Sequence, residues 1–370
     1  MTSNLPEPNF IARNPEEVTN AWIKRYEELT GKTLYPAQVD RFAIDMGAYR
    51  ENILRVEIQE TAKKNLLSYA PLDVLKHIGE PQGVTQLLAD YSRTTIEFSV
   101  DEALDFDFTI QANIEIESKD GLFIFATTSE VTLKKGELTV STEAICETAG
   151  SASNNYSIGS INNILTPLDY ISKAENITVT SGGADDESAE QLRERIRLAP
   201  EKYSNAGSKG AYRYHTLSVH QSITDVTITS PSPGIIYVYP LTSNGNPSEE
   251  LIKKVQDYLN DDKVRPLTDY VLVKSPEQKT FSIDADILLY SYADIDIVKK
   301  TIDAKLTEYK LQLSEKLGKN VVATQIIAIL NSIYGVYKVN LKTPEDIEIK
   351  EHQWANLLNY DIRIGGYADE

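Results

Sequence analysis

The segment YPAQVDRFAIDMGAYRENILRVEIQETAKKNLLSYA, from Tyr35 to Ala70, places Val39, Phe42, Met46, Tyr49, Ile53, Val56 and Leu67 at helical spacing over about nine turns. Pro36 sits near its start, where proline is tolerated. A helix of that length cannot be covered by a small domain of its own chain, because most helical stability in proteins comes from packing an apolar face. The stripe is therefore expected to meet other helices, those of another subunit included.

A shorter helix precedes it. Asn14 is a good N-cap, Pro15 takes the first helical position, Glu17 completes an Asn-x-x-Glu capping box and Gly31 ends the run. Val18, Trp22, Tyr26 and Leu29 share one face of it. After APLDVLKHIGEPQGV, whose Pro and Gly content suggests a hinge, the period changes from 3.6 to 2. RTTIEFSV, FDFTIQA, GLFIFATTSEVTL and ELTVSTEAICE alternate apolar and polar residues between turn signals, which predicts an antiparallel β-domain over roughly residues 90 to 183. AGSASNNYSIGSINNI reads as its long polar loop, a surface excursion or subunit contact rather than core.

Ser188 and Gln191 then form a capping box ahead of a narrow stripe of Ala189, Leu192, Ile196 and Ala199, and Pro200 stops that helix. GAYRYHTLSV begins another helix, and from Asp225 onward strands and helices alternate. DVTITS and IIYVYPL form a hairpin through SPSPG, Asn246, Pro247 and Glu249 cap a helix, and DYVLVKS is a strand. TFSIDADILLY is another strand, IDIVKKTIDAKLTEYKLQLSEKLG and ATQIIAILNSI are helices, and GVYKVNL, DIEI and NYDIRI are closing strands. The fold class is α+β and multidomain: N-terminal long helices, a central antiparallel β-domain, and C-terminal α+β domains with small open-faced sheets. The expected divisions are an N-terminal helical arm (1–75), a linker with the β-domain (76–183), a first α+β domain (184–278), and a second with the C-terminal tail (279–370).

Composition narrows the function. At 370 residues the chain should divide into two to four domains, and 41% hydrophobic with 25% charged residues excludes wholesale disorder. The formal charge of −18 argues against a surface that neutralises nucleic-acid phosphates. Twenty-one Tyr against two Trp and eight Phe suggest half-buried rings with a polar tip, a side chain enriched at protein interfaces. Cys146 is the single cysteine, so no disulfide forms within the chain and the thiol is read as buried and inert. MTSNLPEPNFIARN lacks a basic region followed by an apolar core, and no run reaches the roughly 18 apolar residues of a spanning helix. Folding in a cytoplasm, without membrane insertion, is the expectation.

No catalytic constellation emerges. The glycine loop SNAGSKGAY lacks P-loop spacing and follows a helix rather than a strand, so it reads as a joint in which Gly207 and Gly210 allow positive φ and close backbone approach. His77, His215, His220 and His352 lack metal-ligand spacing, and each reads as a satisfied surface or core histidine. The pairs Asp105 and Asp107, Asp284 and Asp286, and Asp294 and Asp296 suit the solvated face of a sheet or a helix start. No cofactor and no metal are expected.

GGADDESAEQLRERIRLAPEKYSNAGSKGAYRYHTLS, followed by ITDVTITSPSPGIIYVYPLTSNG and VRPLTDYVLVKSPE, closely resembles the baseplate J-like proteins, wedge proteins of contractile phage tails and related injection machines. The elements that agree in order are Gly182 and Gly183, the Glu187 to Ile196 helix with Arg193 and Arg195, Pro200, Gly207, Gly210 and Tyr212, Pro233 and Gly234, and the Arg265-Pro266-Leu267-Thr268-Asp269 turn. AYRENILRVEIQE and LLSYAPLDVL resemble the family's N-terminal helical segment. The likeness covers nearly the whole chain and is weakest in the first thirty-odd residues, from Ala149 to Leu165, and after Leu341.

The resemblance implies a non-enzymatic protein whose copies form a sixfold ring of wedges around the hub and spike. It implies a helical bundle through Trp22, Tyr26, Phe42, Met46, Tyr49, Ile53 and Val56 with a second copy and a second helical wedge protein. Sheath-initiator and hub or spike proteins are the further partners it implies, with no nucleic acid and no membrane. Such a protein would assemble in the bacterial cytoplasm and end in the baseplate of a virion or bacteriocin-like particle. The alternative reading is a β-rich carbohydrate-binding or adhesion module, which would show an aromatic platform on one sheet.

Overall fold

The computed structural model describes residues 6–203 and 207–368. The chain divides into two units, one of Met1–Thr85 with Ser188–Arg197, the other of Gln86–Glu187 with Leu198–Glu370.

In the first unit, α1 (Pro15–Thr30) begins where the Asn14 side chain accepts from Glu16 N–H at 3.0 Å, and it ends at Gly31 with φ +66°. The next helix, α2 (Val39–Lys64), is shorter than its pattern suggests, at 26 residues or about seven turns. Asn65 turns its side chain back to Thr61 O at 3.0 Å and its backbone N–H to Ala62 O, so the helix closes and Leu67 falls in the turns before Pro71. Residues 70–84 do not form a bare linker. They hold α3 (Leu72–Gly79) and a 3-10 turn, with Ala70, Leu75 and Val84 buried. The N-terminal nine residues of α4 (Ala189–Leu198) pack on them, Ile196 lying against Gly79 so closely that a Cβ there would meet its Cδ1 at 3.2 Å.

The second unit holds three separate cores. Strands β1 (Tyr91–Ser99), β3 (Glu115–Ser118), β4 (Ile124–Thr127), β6 (Thr139–Ala149), β7 (Ile161–Ile164) and β8 (Lys173–Asn176) form one sheet in the order β7-β3-β4-β6-β1-β8, every pairing antiparallel. Strands β2 (Phe108–Ile110) and β5 (Val131–Leu133) pair beside it. The sheet curls until its two edges meet at Asn176, which accepts from Gly159 N–H through its backbone and from Ile161 N–H through its side chain. The result is a barrel around Ile96, Phe98, Ile116, Phe125 and the buried, unpaired Cys146. The supposed polar loop is thus partly core: β7 closes the barrel, and Ile161 and Ser153 are buried. Its polar residues serve the backbone instead: Asn154 holds Gly183, and Asn176 of β8 in turn donates to Ser157 O, roles that composition does not separate from solvation.

The middle module stacks α5 (Lys209–Leu217) and α6 (Glu249–Leu259) on a sheet of β11 (Tyr270–Val273), β10 (Ile235–Thr242) and β9 (Ile223–Ser232). β10 and β9 are the expected hairpin, while β11 joins parallel to β10 after the α6 crossover. Ser248, rather than Asn246, caps α6 and accepts from Leu251 N–H at 3.2 Å. In the last module, α7 (Ile295–Ser314) and α8 (Ala323–Asn331) cover one face of the sheet formed by β13 (Val336–Thr343), β12 (Glu277–Leu289) and β14 (Gln353–Tyr367). DIEI is not a strand: Ile347 makes only an isolated bridge to Val321. No described helix is long and apolar enough to cross a membrane.

Candidate functional site

Helix α2 has two unlike faces. On one, Trp22 of α1 lies against Gly47, where a Cβ would fall 2.9 Å from the indole, and its Nε1 donates to Glu51, which Arg55 also holds. These donors keep the Glu51 carboxyl below its ordinary range, the Trp22 bond foremost. The Tyr26 hydroxyl donates to Asp40 at 2.7 Å, so Trp22 and Tyr26 are both engaged within the α1–α2 hairpin. Further along, residues 7–12 run beside the helix: Gln59, fully buried, accepts from Phe10 N–H and donates to Pro8 O, while Arg55 donates to Ala12 O.

On the opposite face Val39, Phe42, Met46, Tyr49, Ile53 and Val56 follow one another at alternating steps of three and four. That is the spacing of a coiled-coil seam. All six are exposed, Phe42 by 72% and Tyr49 by 66%. Leu67, beyond the helix end, is not part of the seam.

A second set of residues meets at one corner of the middle module. Gly207 has φ +69°, and a Cβ there would stand 2.5 Å from Asp269 Oδ2 and 3.3 Å from Pro266. The Tyr212 hydroxyl donates to the same Asp269 oxygen at 2.7 Å, and burial first, then this bond, raises the phenol well above its usual range. Asp269 N–H closes a turn onto Pro266 O, and Tyr270 N–H bonds Gly234 O, which brings in the Pro233-Gly234 turn. Arg265 reaches Asn260 at 3.4 Å, its Nε buried without a partner. Gly210 differs from the sequence reading. It lies inside α5 without positive φ, and only its approach to Glu201, at 2.7 Å for an added Cβ, bears on its size. Ser204, Asn205 and Ala206 of the glycine loop lie outside the described residues. Pro200 sits in a 3-10 turn, Ala199–Tyr203, that replaces the last helical turn of α4.

Gly182 has φ +89°, and a Cβ on Gly183 would meet Gly150 O at 2.3 Å. Asn154 clamps that peptide from both sides, donating to Gly183 O and accepting from Gly183 N–H. In the first unit Arg193 donates to Leu67 O and Ala70 O, and the buried Arg195 to Thr85 O, so α4 ties down the segment that follows α2.

Sequence reasoning missed Glu51, Gln59 and Asn154, whose roles depend on contacts across dozens of residues. It also missed a tyrosine cluster: Tyr290 stacks on Tyr292 at 5.2 Å, with Tyr337 and Tyr334 against them. Among the histidines, His220 bonds Ser222 at 2.7 Å, whereas half-buried His215 leaves its buried Nδ1 without a partner, contrary to the expectation that each is satisfied. No group of three or more His, Cys, Asp or Glu among the described residues could hold a metal ion.

The chain thus comprises a barrel, two small sheet-and-helix modules and a helical hairpin with an exposed apolar seam. The chain belongs to the baseplate J-like protein family. Its residues 95–183 match the Baseplate J-like protein barrel domain, 204–275 the Baseplate J-like central domain and 281–359 the Baseplate J-like protein C-terminal domain. It is 34% identical over 203 residues to Baseplate protein J of Escherichia phage P2, covering 54% of this chain and 66% of that one. It is 30% identical over 173 residues to Putative baseplate protein gp29 of Haemophilus phage HP1 (strain HP1c1), covering 42% of each. The chain thus spans less than two thirds of these relatives' lengths. A solved assembly, the sixfold-symmetrised cryo-EM baseplate of the anti-feeding prophage, contains a chain matched over 94% of this one and 90% of its own, at 13% identity and TM-score 0.42. Family membership, not the lack of a metal cluster, makes this a structural rather than a catalytic chain.

Proposed function

We propose that the chain is a structural wedge protein of a contractile-tail baseplate. Copies join in a ring around the hub and spike, and the ring relays the change that triggers sheath contraction. The observation that supports this reading is the α2 seam, six apolar side chains at coiled-coil spacing left exposed while Gly47 and Glu51 on the other side of the helix engage α1. The seam suits a helical bundle with a second copy and a helical wedge partner. Sheath-initiator and spike proteins complete the proposed contacts, with assembly in the bacterial cytoplasm and final residence in the virion or tail-like particle.

Relay needs elements with two arrangements. Residues 70–84 are packed with α4 inside the first unit, which moves the proposed hinge to the chain crossings at Thr85, Glu187 and Arg197. Cryo-EM of particles before and after contraction tests the hinge by the backbone angles at these crossings.

Light scattering on the chain alone and coexpressed with its genomic neighbours tests the wedge. Co-assembly that Phe42→Asp with Tyr49→Asp abolishes supports it, and a monomer indifferent to all neighbours overturns it. The tyrosine cluster at Tyr290, Tyr292, Tyr334 and Tyr337 is the one observation that favours a glycan-binding module instead, and a glycan array reads that directly.

A further inference from the structure

The last module ends in an unpaired edge. Strand β14 pairs parallel with β12 along one side, and among the described residues the backbone of its other side, from Asn356 to Gly366, meets no partner strand. An open edge is a template for a further strand unless it is blocked. Here two irregularities bound it. β14 carries one extra residue at Leu358, between the pairs Phe281↔Leu357 and Ser282↔Asn359, and another at Gly365–Gly366. Between them Asn359 to Ile364 run in unbroken register with Ser282 to Ile287. Edge bulges disfavour indiscriminate pairing, so the available window is short and its register is restricted.

The side chains of this window select the occupant. Ile362 and Ile364 pack on the core yet stay half-exposed, as expected of apolar residues waiting for a neighbour on one side. On the other face Asp361 and Arg363 stand two residues apart. Antiparallel pairing of the window with itself about Ile362 sets Asp361 of each copy opposite Arg363 of the other, and Tyr360 opposite Ile364. The match is self-complementary, which is the condition for a two-fold interface. Within the chain Arg363 already serves Asp284 and Asp286, at 3.0 Å to the latter, whereas Asp361 is 67% exposed and only 3.6 Å from it, a weak contact. In the pair, each Arg363 would keep Asp284 and Asp286 and gain the exposed Asp361 of the second copy as a further acceptor.

We propose that β14 pairs with β14 of a second copy of this chain, joining two three-stranded sheets into one of six strands. This surface is distinct from the α2 seam, and the proposal deepens the wedge reading, on whose copy-to-copy contacts it rests.

The test is sedimentation equilibrium of the full chain carrying Phe42→Asp and Tyr49→Asp, so that association through the seam is absent. Self-association is expected to persist there. Asp361→Arg, which sets Arg against Arg twice, should weaken it about tenfold or more, and Arg363→Glu should do the same by setting carboxylates together. Mixing the two single variants should restore association as a heterodimer, because each charge then meets its opposite. A monomer in the seam-blocked background overturns the proposal. So does self-association that neither charge variant weakens, or a mixture no tighter than its components. Capture of a different protein's strand by this edge, with no self-pairing, would also overturn it. Failure of the edge leaves the wedge reading to its own co-assembly test, so the two can be told apart.

Discussion

Tyr212 donates its hydroxyl to Asp269 Oδ2 at 2.7 Å, and a Cβ on Gly207 would press to within 2.5 Å of the same oxygen. The glycine loop therefore closes on a carboxylate of its own chain, an arrangement with the wrong charge for phosphate. Tyr212→Phe removes the donor and should cost about 1–2 kcal/mol. Gly207→Ala adds a Cβ 2.5 Å from the oxygen in a left-handed backbone, and should cost about 2 kcal/mol or more. Thermal denaturation checks both, and a neutral Gly207→Ala would show that the corner is not what fixes this glycine.

Asp225 is 8% exposed and serves two modules at once. One oxygen takes the Arg213 guanidinium at 2.7 Å, and the other accepts Leu317 N–H, from the loop after α7, at 3.0 Å. Asp225→Ala leaves Arg213 largely buried without its counter-charge and an amide without its acceptor, a loss of about 3 kcal/mol. Hydrogen exchange should show the Leu317 amide opening together with β13 and β14. Trp354 supplies a second tie, its Nε1 donating to Asn246 at 2.7 Å above Gly245, and that tie should keep the modules associated in the variant.

What the sequence reveals follows from the range of the signals. Local rules locate α1, because Asn14, Pro15 and Gly31 each act within a turn, and the β9–β10 hairpin, because Pro233-Gly234 is a turn signal between alternating runs. Periodicity overruns the end of α2, because Leu67 keeps the spacing by chance while Asn65 caps the backbone. The barrel's closing strands are hidden by polar composition: β7 reads INNI and β8 reads KAEN, four residues each, stabilised by pairing rather than propensity. Of the candidate residues, Gly207, Tyr212, Pro266 and Asp269 come together in space. The sequence gives their order, but their common focus on one oxygen is a long-range fact. Trp22 and Tyr26 share a face with Val18 in the sequence, and only the fold shows that this face belongs to the chain's own hairpin.

The two faces of α2 should separate in experiment. Trp22→Ala removes the ring over Gly47 and a donor to Glu51, and should lower the first unit's stability by about 2 kcal/mol, read as an earlier loss of helical circular dichroism. Phe42→Asp with Tyr49→Asp touches only exposed positions and should leave that transition within about 0.5 kcal/mol while removing co-assembly. Equal destabilisation by both sets would mean that the seam is covered within the chain.

His215 supplies a pH test. It is half-buried between Tyr214 and Tyr258, ring centroids 5.4 and 6.0 Å away, and its buried Nδ1 has no partner. Burial first, then the Lys202 ammonium, holds its pKa below the ordinary histidine value of 6.5. The unfolded chain, titrating near that ordinary value, then binds the proton before the folded chain does. Stability is therefore complete above about pH 6.5 and falls as pH drops from there toward the folded pKa, by at most about 1.4 kcal/mol per pH unit for one group. His220 carries the same sign, depressed by burial and then by Lys254, although Asp90 opposes the shift. Asp185, held below the ordinary carboxyl range by Ser151, loses its contribution only on further acidification. Between pH 7.5 and 5.5 His215 and His220 therefore both lower stability as the pH falls. His215→Phe keeps the aromatic packing and removes the proton site, so it should match the native Tm at pH 7.5 and fall less steeply toward pH 5.5. Parallel curves for the two proteins would mean that His215 takes up its proton equally in both states, and that the barrier to charging it lies elsewhere.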